Sequence, residues 1–270
     1  MLLSGKKALI TGAAGSLGEA MSVRFAEEGC DVIVVDMNQH HVDALADRLK
    51  QQGYAARSFA LDVTDEQAVS ALFDEVDRLD VLVNNVGVTR YGFVQDMTLQ
   101  EWNFTLNANL TSVFLCSKYA FPLLQQSASP AIINMSSINA FSMNPGLPVY
   151  AATKNAIIAL TKQLAIEGAA HRIRANCISP GKTVSEAEQK EQEGNPDHDI
   201  DRDCYPFGRF GYPVEVANAA VFLASDLASF VNGNNLVVDG GMSLQAVSGV
   251  VRPDLRERWK PGVYRLSYEE

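Results

Sequence analysis

The chain has 270 residues, enough for one large α/β domain or two small ones. Lys plus Arg number 22 against 32 Asp plus Glu, a formal charge of −10, and so acidic a chain is a poor binder of polyanions, which argues against nucleic acid as a partner. No apolar run approaches the roughly 18 residues of a membrane span, and the N-terminal residues read as the approach to a strand rather than as a secretory signal.

In chain order, strands alternate with helices. Lys7–Thr11 is a short apolar strand, and Ser16–Glu28 an amphipathic helix closed by Gly29. Asp31–Asp36 is a second strand, Gln39–Gln52 a helix ending at Gly53, Ala55–Leu61 a third strand and Asp65–Asp77 a third helix. Val81–Asn84 is a fourth strand, Leu99–Leu124 holds one or two helices, and Ala131–Met135 is a fifth strand. A helix carries Tyr150 and runs through Leu164, with Ala156, Ile157, Leu160 and Leu164 at helical spacing. Ile173–Ile178, a helix at Val214–Ser225 and a seventh strand at Asn235–Asp239 follow. Continuous apolar strands between helices predict an α/β fold: a single doubly wound Rossmann domain with a seven-stranded, mainly parallel sheet covered on both faces. That domain spans residues 1–242, with a polar, acid-rich lid at about 183–210 and a C-terminal extension at 243–270.

Two stretches carry chemistry. The first strand runs into Thr11-Gly12-Ala13-Ala14-Gly15-Ser16-Leu17-Gly18, a glycine turn between strand and helix that lets a pyrophosphate approach the backbone and the helix N-terminus. Asp36, 18 residues beyond Gly18, ends the second strand. A carboxylate there accepts hydrogen bonds from ribose hydroxyls and repels a 2′-phosphate, by about 4 kcal/mol for unit charges 4 Å apart at an effective dielectric of 20. No Lys or Arg stands at positions 13–16 or 37, so NAD is expected over NADP. The second stretch is Tyr150-Ala151-Ala152-Thr153-Lys154. Four residues apart on a helix, a phenol and an ammonium share one face. A nearby cation favours the phenolate, which makes the pair a proton acceptor and donor for an alcohol/ketone couple. Ordinary helix-surface residues have the same spacing, so the pair alone decides nothing.

Taken together, the turn at 11–18, Asp62-Val63, Asn84-Asn85-Val86-Gly87, Asn109, Ser137, Tyr150 with Lys154, Pro180-Gly181 and Asp239-Gly240-Gly241 resemble the short-chain dehydrogenase/reductase family from Lys7 to about Met242. The resemblance implies that Tyr150 is the acid/base and that Ser137, rather than its neighbour Ser136, orients the substrate oxygen. Lys154 would hold the nicotinamide ribose and lower the phenol's pKa, and Asn109 would anchor a water linking Lys154 to solvent. Gly12, Gly15, Ser16, Leu17, Gly18, Asp36, Asp62, Val63, Asn85, Gly87, Pro180, Gly181 and Thr183 would contact the cofactor. Three positions depart from the commonest pattern: Ser16 stands where the second glycine usually falls, Val86 adds volume, and Ser185 replaces a threonine whose hydroxyl reaches the carboxamide.

The expected substrate loops, 88–93, 138–149 and 182–210, offer Arg90, Ser137, Asn139, Asn144 and Lys182. Polar and cationic lining points to a sugar, polyol or hydroxy acid; a carbonyl or 3-oxoacyl reductase and a non-catalytic nucleotide sensor are the alternatives. Cys30, Cys116, Cys177 and Cys204 lack metal or redox spacing, and His40, His41, His171 and His198 lack ligand spacing, so no metal site and a reducing, cytoplasmic compartment are expected. The tail brings Arg252, Arg256, Arg258, Lys260 and Arg265 with Trp259, Tyr264 and Tyr268. Family members often form tetramers, so a homotetramer is expected, with the tail packed on a neighbouring subunit or on its own.

Overall fold

The computed structural model describes residues 1–260. Tyr264, Arg265 and Tyr268 therefore lie outside the described residues. The elements run β1 (Lys7–Thr11), α1 (Ser16–Glu27), β2 (Asp31–Asp36), α2 (Gln39–Gln51), β3 (Ala56–Ala60), α3 (Glu66–Asp74), β4 (Val81–Asn84) and α4 (Leu99–Leu106). A π turn at Asn107–Thr111 joins α4 to α5 (Ser112–Leu124), followed by β5 (Ala131–Met135), α6 (Pro148–Glu167) and β6 (Arg174–Pro180). Then come α7 (Glu186–Glu191), α8 (Pro196–Asp203), α9 (Pro213–Ala224), β7 (Asn235–Val238), α10 (Val247–Val251) and α11 (Pro253–Trp259).

The seven strands form one sheet in the order β3-β2-β1-β4-β5-β6-β7, and every pairing is parallel. Successive strand side chains point to opposite faces, and the core divides accordingly. Ala8, Ile10, Val32, Val34 and Val83 face Met21 and Phe25 of α1, Leu45 of α2 and Val216 of α9. Leu9, Ile33, Val35 and Leu82 face Leu72 of α3, Leu115 and Leu124 of α5 and Leu164 of α6. Phe25 has no exposed surface, and truncating it to alanine costs about 3–5 kcal/mol.

Local chemistry sets where the helices begin. The Asn38 side chain accepts the N–H of His41 ahead of α2, and Asp65 accepts those of Gln67 and Ala68, so α3 starts one residue later than the sequence pattern suggests. Thr98 and Glu101 form a capping box ahead of α4. Strand β6 runs on to Pro180 because Pro180 pairs with Val238 of β7. The acid-rich stretch read as a solvated lid holds two short helices, one opened by a Ser185–Glu188 capping box and the other by Asn195. Among the described residues no helix is long and apolar enough to cross a membrane.

Candidate active site

Strand order reverses between β1 and β4, and a crevice opens beyond their carboxyl ends, the usual place for a ligand in an open α/β sheet. It is a cleft of about 550 Å³ lined by Gly12, Gly15, Ser16, Leu17, Asp36, Asp62, Val63, Asn85 and Gly87, together with Phe104 and Asn107 from above.

The glycine turn is built for close approach at two of its three glycines. Gly12 has φ +65°, and a methyl on Gly18 would sit 2.1 Å from the Gly12 carbonyl oxygen. Gly18 is therefore buried beneath the turn, supporting it rather than lining the cleft. Gly15 has an ordinary extended conformation, and it precedes α1 without any side-chain cap. The N–H groups of the first turn of α1 are thus left for an incoming anion. Ser16 stands exposed at that helix start. Two links fix the turn to its neighbours: Asp36 Oδ2 accepts the N–H of Ala14 at 3.2 Å, and Asn85 Nδ2 donates to the Gly12 carbonyl at 3.0 Å. The Asn85 N–H donates to Thr11 Oγ1 at 3.0 Å. The Asn85 amide is therefore spent on holding the turn, and Asp62 turns locally on Thr64.

At the carboxyl end of β5, Ser136 and Ser137 part company. Ser136 Oγ donates to the Lys154 carbonyl at 2.8 Å, inside the fold. Ser137 faces Tyr150 in the first turn of α6, and the two hydroxyls share a hydrogen bond. Lys154, one turn further on, is buried; its Nζ donates to the Met135 carbonyl at 2.8 Å and lies 5.6 Å from the centroid of the Tyr150 ring. A side chain on Gly87 would reach 3.2 Å from that Nζ, so glycine there leaves the ammonium room.

Electrostatics correct one expectation. Burial pushes the Tyr150 phenol above its ordinary value, the Ser137 hydrogen bond acts against this, and Tyr91 adds to the rise. The phenol of the free protein is thus raised, not lowered, because desolvation outweighs the Ser137 hydrogen bond. The same burial brings Lys154 down to about 8, which leaves it charged at neutral pH.

Asn109 lies in the π turn, an irregularity common at functional sites. Its Oδ1 accepts the N–H of Val88 at 2.7 Å, and its Nδ2 donates to the Val88 carbonyl and to Thr153 Oγ1. The side chain therefore clamps the loop after β4 to the residue beside Lys154. Beneath it runs a buried polar chain that sequence reading missed: Asn84 Nδ2 donates to Asn134 Oδ1, and Asn134 Nδ2 to Thr161 Oγ1, tying β4 and β5 to α6. An asparagine inside an apolar strand was the only signal.

The remaining predicted residues are not among those that line this cleft. Pro180 pairs in the sheet, and Gly181 packs against Tyr205, another residue the sequence did not single out. Thr183 lines a second cavity of about 520 Å³ with Phe141, Lys182 and Asp239. Ser185 spends its hydroxyl capping α7 rather than reaching inward. Of the substrate candidates, Arg90 lies over the Phe104 ring at 4.9 Å, Lys182 pairs with Asp201 at 3.1 Å, and Asn139 Oδ1 accepts the N–H of Asn144. Among the described residues no group of three or more His, Cys, Asp or Glu is placed to hold a metal.

Comparison with known proteins agrees with the fold. A family model described as enoyl-(acyl carrier protein) reductase matches residues 12–243. The D-threitol dehydrogenase of Mycolicibacterium smegmatis is 38% identical over 247 residues, covering 90% of this chain and 95% of that protein. The 3-oxoacyl-(acyl-carrier-protein) reductase FabG of Thermotoga maritima is 36% identical, covering 90% of this chain and 99% of its own length. Among solved structures, a gluconate 5-dehydrogenase from Burkholderia cenocepacia J2315 in complex with NADP and tartrate superposes with a TM-score of 0.84 at 32% identity, covering 90% of this chain and 97% of that one.

Proposed function

We propose a reaction from one premise: the chain belongs to the short-chain dehydrogenase/reductase family and is an oxidoreductase of that type. The reaction interconverts a secondary alcohol or hemiacetal and a ketone or lactone. The observation that carries it is the meeting of Ser137, Tyr150 and Lys154 at the end of β5. The cleft fits a nicotinamide dinucleotide: Gly12 and the open first turn of α1 would take the pyrophosphate, Asp36 the adenosine ribose, and Asp62 and Val63 the adenine. When bound, that cofactor supplies the acceptor or donor of hydride. The chain's own residues handle the proton and the substrate. Ser137 orients the substrate oxygen, Tyr150 accepts or returns its proton, and Lys154 holds a positive charge against the phenolate. General acid–base help of this kind contributes about 10²–10⁴ in rate. Asn109 keeps Thr153 and Lys154 in register with the loop after β4. Asp36 supports NAD as the preferred cofactor, in contrast to the NADP-bound gluconate dehydrogenase.

A small polar substrate is the first reading, in keeping with the threitol and gluconate named for two relatives. One observation favours the second, a carbonyl or 3-oxoacyl reductase acting on a more apolar substrate. Arg90, Asn139 and Lys182 are already engaged, while Tyr91, Phe93, Phe141 and Met143 stand exposed on the loops after β4 and β5. A turnover screen over aldoses, polyols, hydroxy acids and 3-oxoacyl thioesters, with both nucleotides, separates the two. Activity confined to the thioesters would remove the polar reading, and no turnover with nucleotide still bound would remove catalysis altogether.

Assembly as a homotetramer draws support from exposed apolar side chains at Trp102 and Phe114 on α4 and α5, and at Phe222, Phe230 and Val237 around α9 and β7. Light scattering at micromolar concentration tests it. Cys30 and Cys116 are buried thiols pushed up to about 12, unreactive and unpaired, which supports a reducing, cytoplasmic setting.

A further inference from the structure

The C-terminal extension is fastened to the lid by charges taken out of water. Asp203 at the end of α8 and Arg256 and Lys260 at the other side of the contact are each less than a tenth exposed. Arg256 Nη2 donates to Asp203 Oδ2, and Lys260 Nζ lies 3.2 Å from Asp203 Oδ1. The same ammonium donates to the carbonyls of Asp203 at 2.9 Å and Tyr205 at 2.6 Å. Gln245 Nε2 donates to the intervening carbonyl of Cys204 at 2.5 Å. Three tail residues thus hold every position from 203 to 205.

Tyr205 carries that grip inward. Its hydroxyl accepts the N–H of Lys182 at 2.7 Å, and a methyl on Gly181 would come within 3.0 Å of its ring. The ring also meets Phe210 edge-on, with centroids 5.3 Å apart. Tail, lid and the Pro180-Gly181 turn are therefore joined by a continuous run of direct contacts.

Stability alone does not explain such a cluster. Surface ion pairs of this chain, such as Lys190–Glu186, are solvated and cheap to form. A buried pair loses its hydration and is often no better than apolar residues of similar volume, whereas removing one partner strands the other in a dry site. What the pairing supplies is a unique orientation of one helix on another.

We propose that Asp203, Arg256 and Lys260 are positioning residues, by which the tail latches the lid, through Tyr205, against the Pro180-Gly181 turn and sets the substrate side of the site. This rests on the oxidoreductase reading above.

The test compares Asp203→Leu, the double variant Asp203→Leu/Arg256→Leu, Lys260→Met and Tyr205→Phe in the full-length protein. Three quantities are read: KM and kcat on the substrate found in the screen, NADH binding by fluorescence, and the rate of proteolytic cutting within residues 185–204. Asp203→Leu strands two cations; KM rises at least tenfold, cutting speeds at least tenfold, and the NADH Kd stays within threefold. The double variant removes one of the two stranded cations and leaves Lys260 on the carbonyls of residues 203 and 205, so it recovers part of both losses. Lys260→Met, which leaves Asp203 paired with Arg256, gives a smaller change of the same sign. Tyr205→Phe raises KM while cutting stays at the wild-type rate. Should Asp203→Leu fail to fold, Lys260→Met and Tyr205→Phe carry the comparison. Wild-type KM and cutting in Asp203→Leu, or in both of the milder variants, overturn the latch. An inactive wild-type protein would sink the oxidoreductase reading instead, and the cutting rates would still judge the latch.

Discussion

The ammonium of Lys154 lies 5.6 Å from the centre of the Tyr150 ring and spends its hydrogen bond on the Met135 carbonyl, wholly inside the protein. A lysine whose pKa falls from 10.5 to about 8 on burial opposes folding, by about 3 kcal/mol at 1.36 kcal/mol per unit. The sign follows from linkage. Below pH 8 both states hold the proton and the penalty is complete. Between pH 8 and 10.5 the folded state has lost it first, and stability rises. Lys154→Met removes the charge and one hydrogen bond worth about 1 kcal/mol. The variant should be inactive yet melt about 4–8 °C higher at pH 7 without nucleotide, with the gap narrowing above pH 8. A melting point lowered at pH 7 would contradict this.

Because burial raises the Tyr150 phenol, the free protein holds it protonated at neutral pH. Oxidation needs the phenolate and reduction the phenol. In pH profiles of kcat/KM, which report the free enzyme, oxidation should climb from pH 6 to 10 and reduction should fall only at the alkaline end. Ser137 holds the phenol down, so Ser137→Ala should move the oxidative limb to higher pH as well as lowering the rate about 100-fold. A flat profile for both directions would leave Tyr150 without its role.

Asp36 is held by the Ala14 and Asn38 N–H groups at the rim of the cleft. A 2′-phosphate brought to it meets a fixed negative charge. The kcat/KM ratio of NAD to NADP is expected to exceed tenfold and to invert in Asp36→Ala/Met37→Arg. Equal use of the two nucleotides by the native enzyme would remove the assignment.

Two glycines of the turn, Gly15 and Gly18, should answer differently to one methyl group. Gly18→Ala forces 2.1 Å against the Gly12 carbonyl and should cost about 1–3 kcal/mol and abolish nucleotide binding. Gly15→Ala meets nothing closer than 3.5 Å at an ordinary φ, so its melting temperature should match the native protein. Thermal melts and NADH titrations of both variants decide the matter.

Much of this was legible before any coordinates. The apolar runs that became β1, β2, β4 and β5 are buried on both faces, which is why their sequences read without alternation. The glycine turn and the Tyr150–Lys154 spacing are local, and local geometry survives folding. Other features depend on what packs against them. Helices α7 and α8 carry one apolar side chain each, Ala187 and Ile200, so they show no apolar period and only their caps mark them. Strand β6 gains its last residues from β7, whose Asn235 Oδ1 accepts from Ser179 Oγ, 56 positions away. The direction of the Tyr150 shift depends on burial, which spacing does not contain. Arg90 and Lys182 looked free because their partners, Phe104 and Asp201, arrive from other elements.

The bond from the Asn85 N–H to Thr11 Oγ1 joins residues 74 positions apart. Half of the cleft is therefore absent until the two central strands have found each other, across the three crossovers and three helices that separate them in the chain. Contacts so distant along the chain come late, since loop closure must precede them. During refolding, NADH capture should return with the slowest phase and lag behind helical signal, so that the ligand serves as a clock for the arrival of the native strand order.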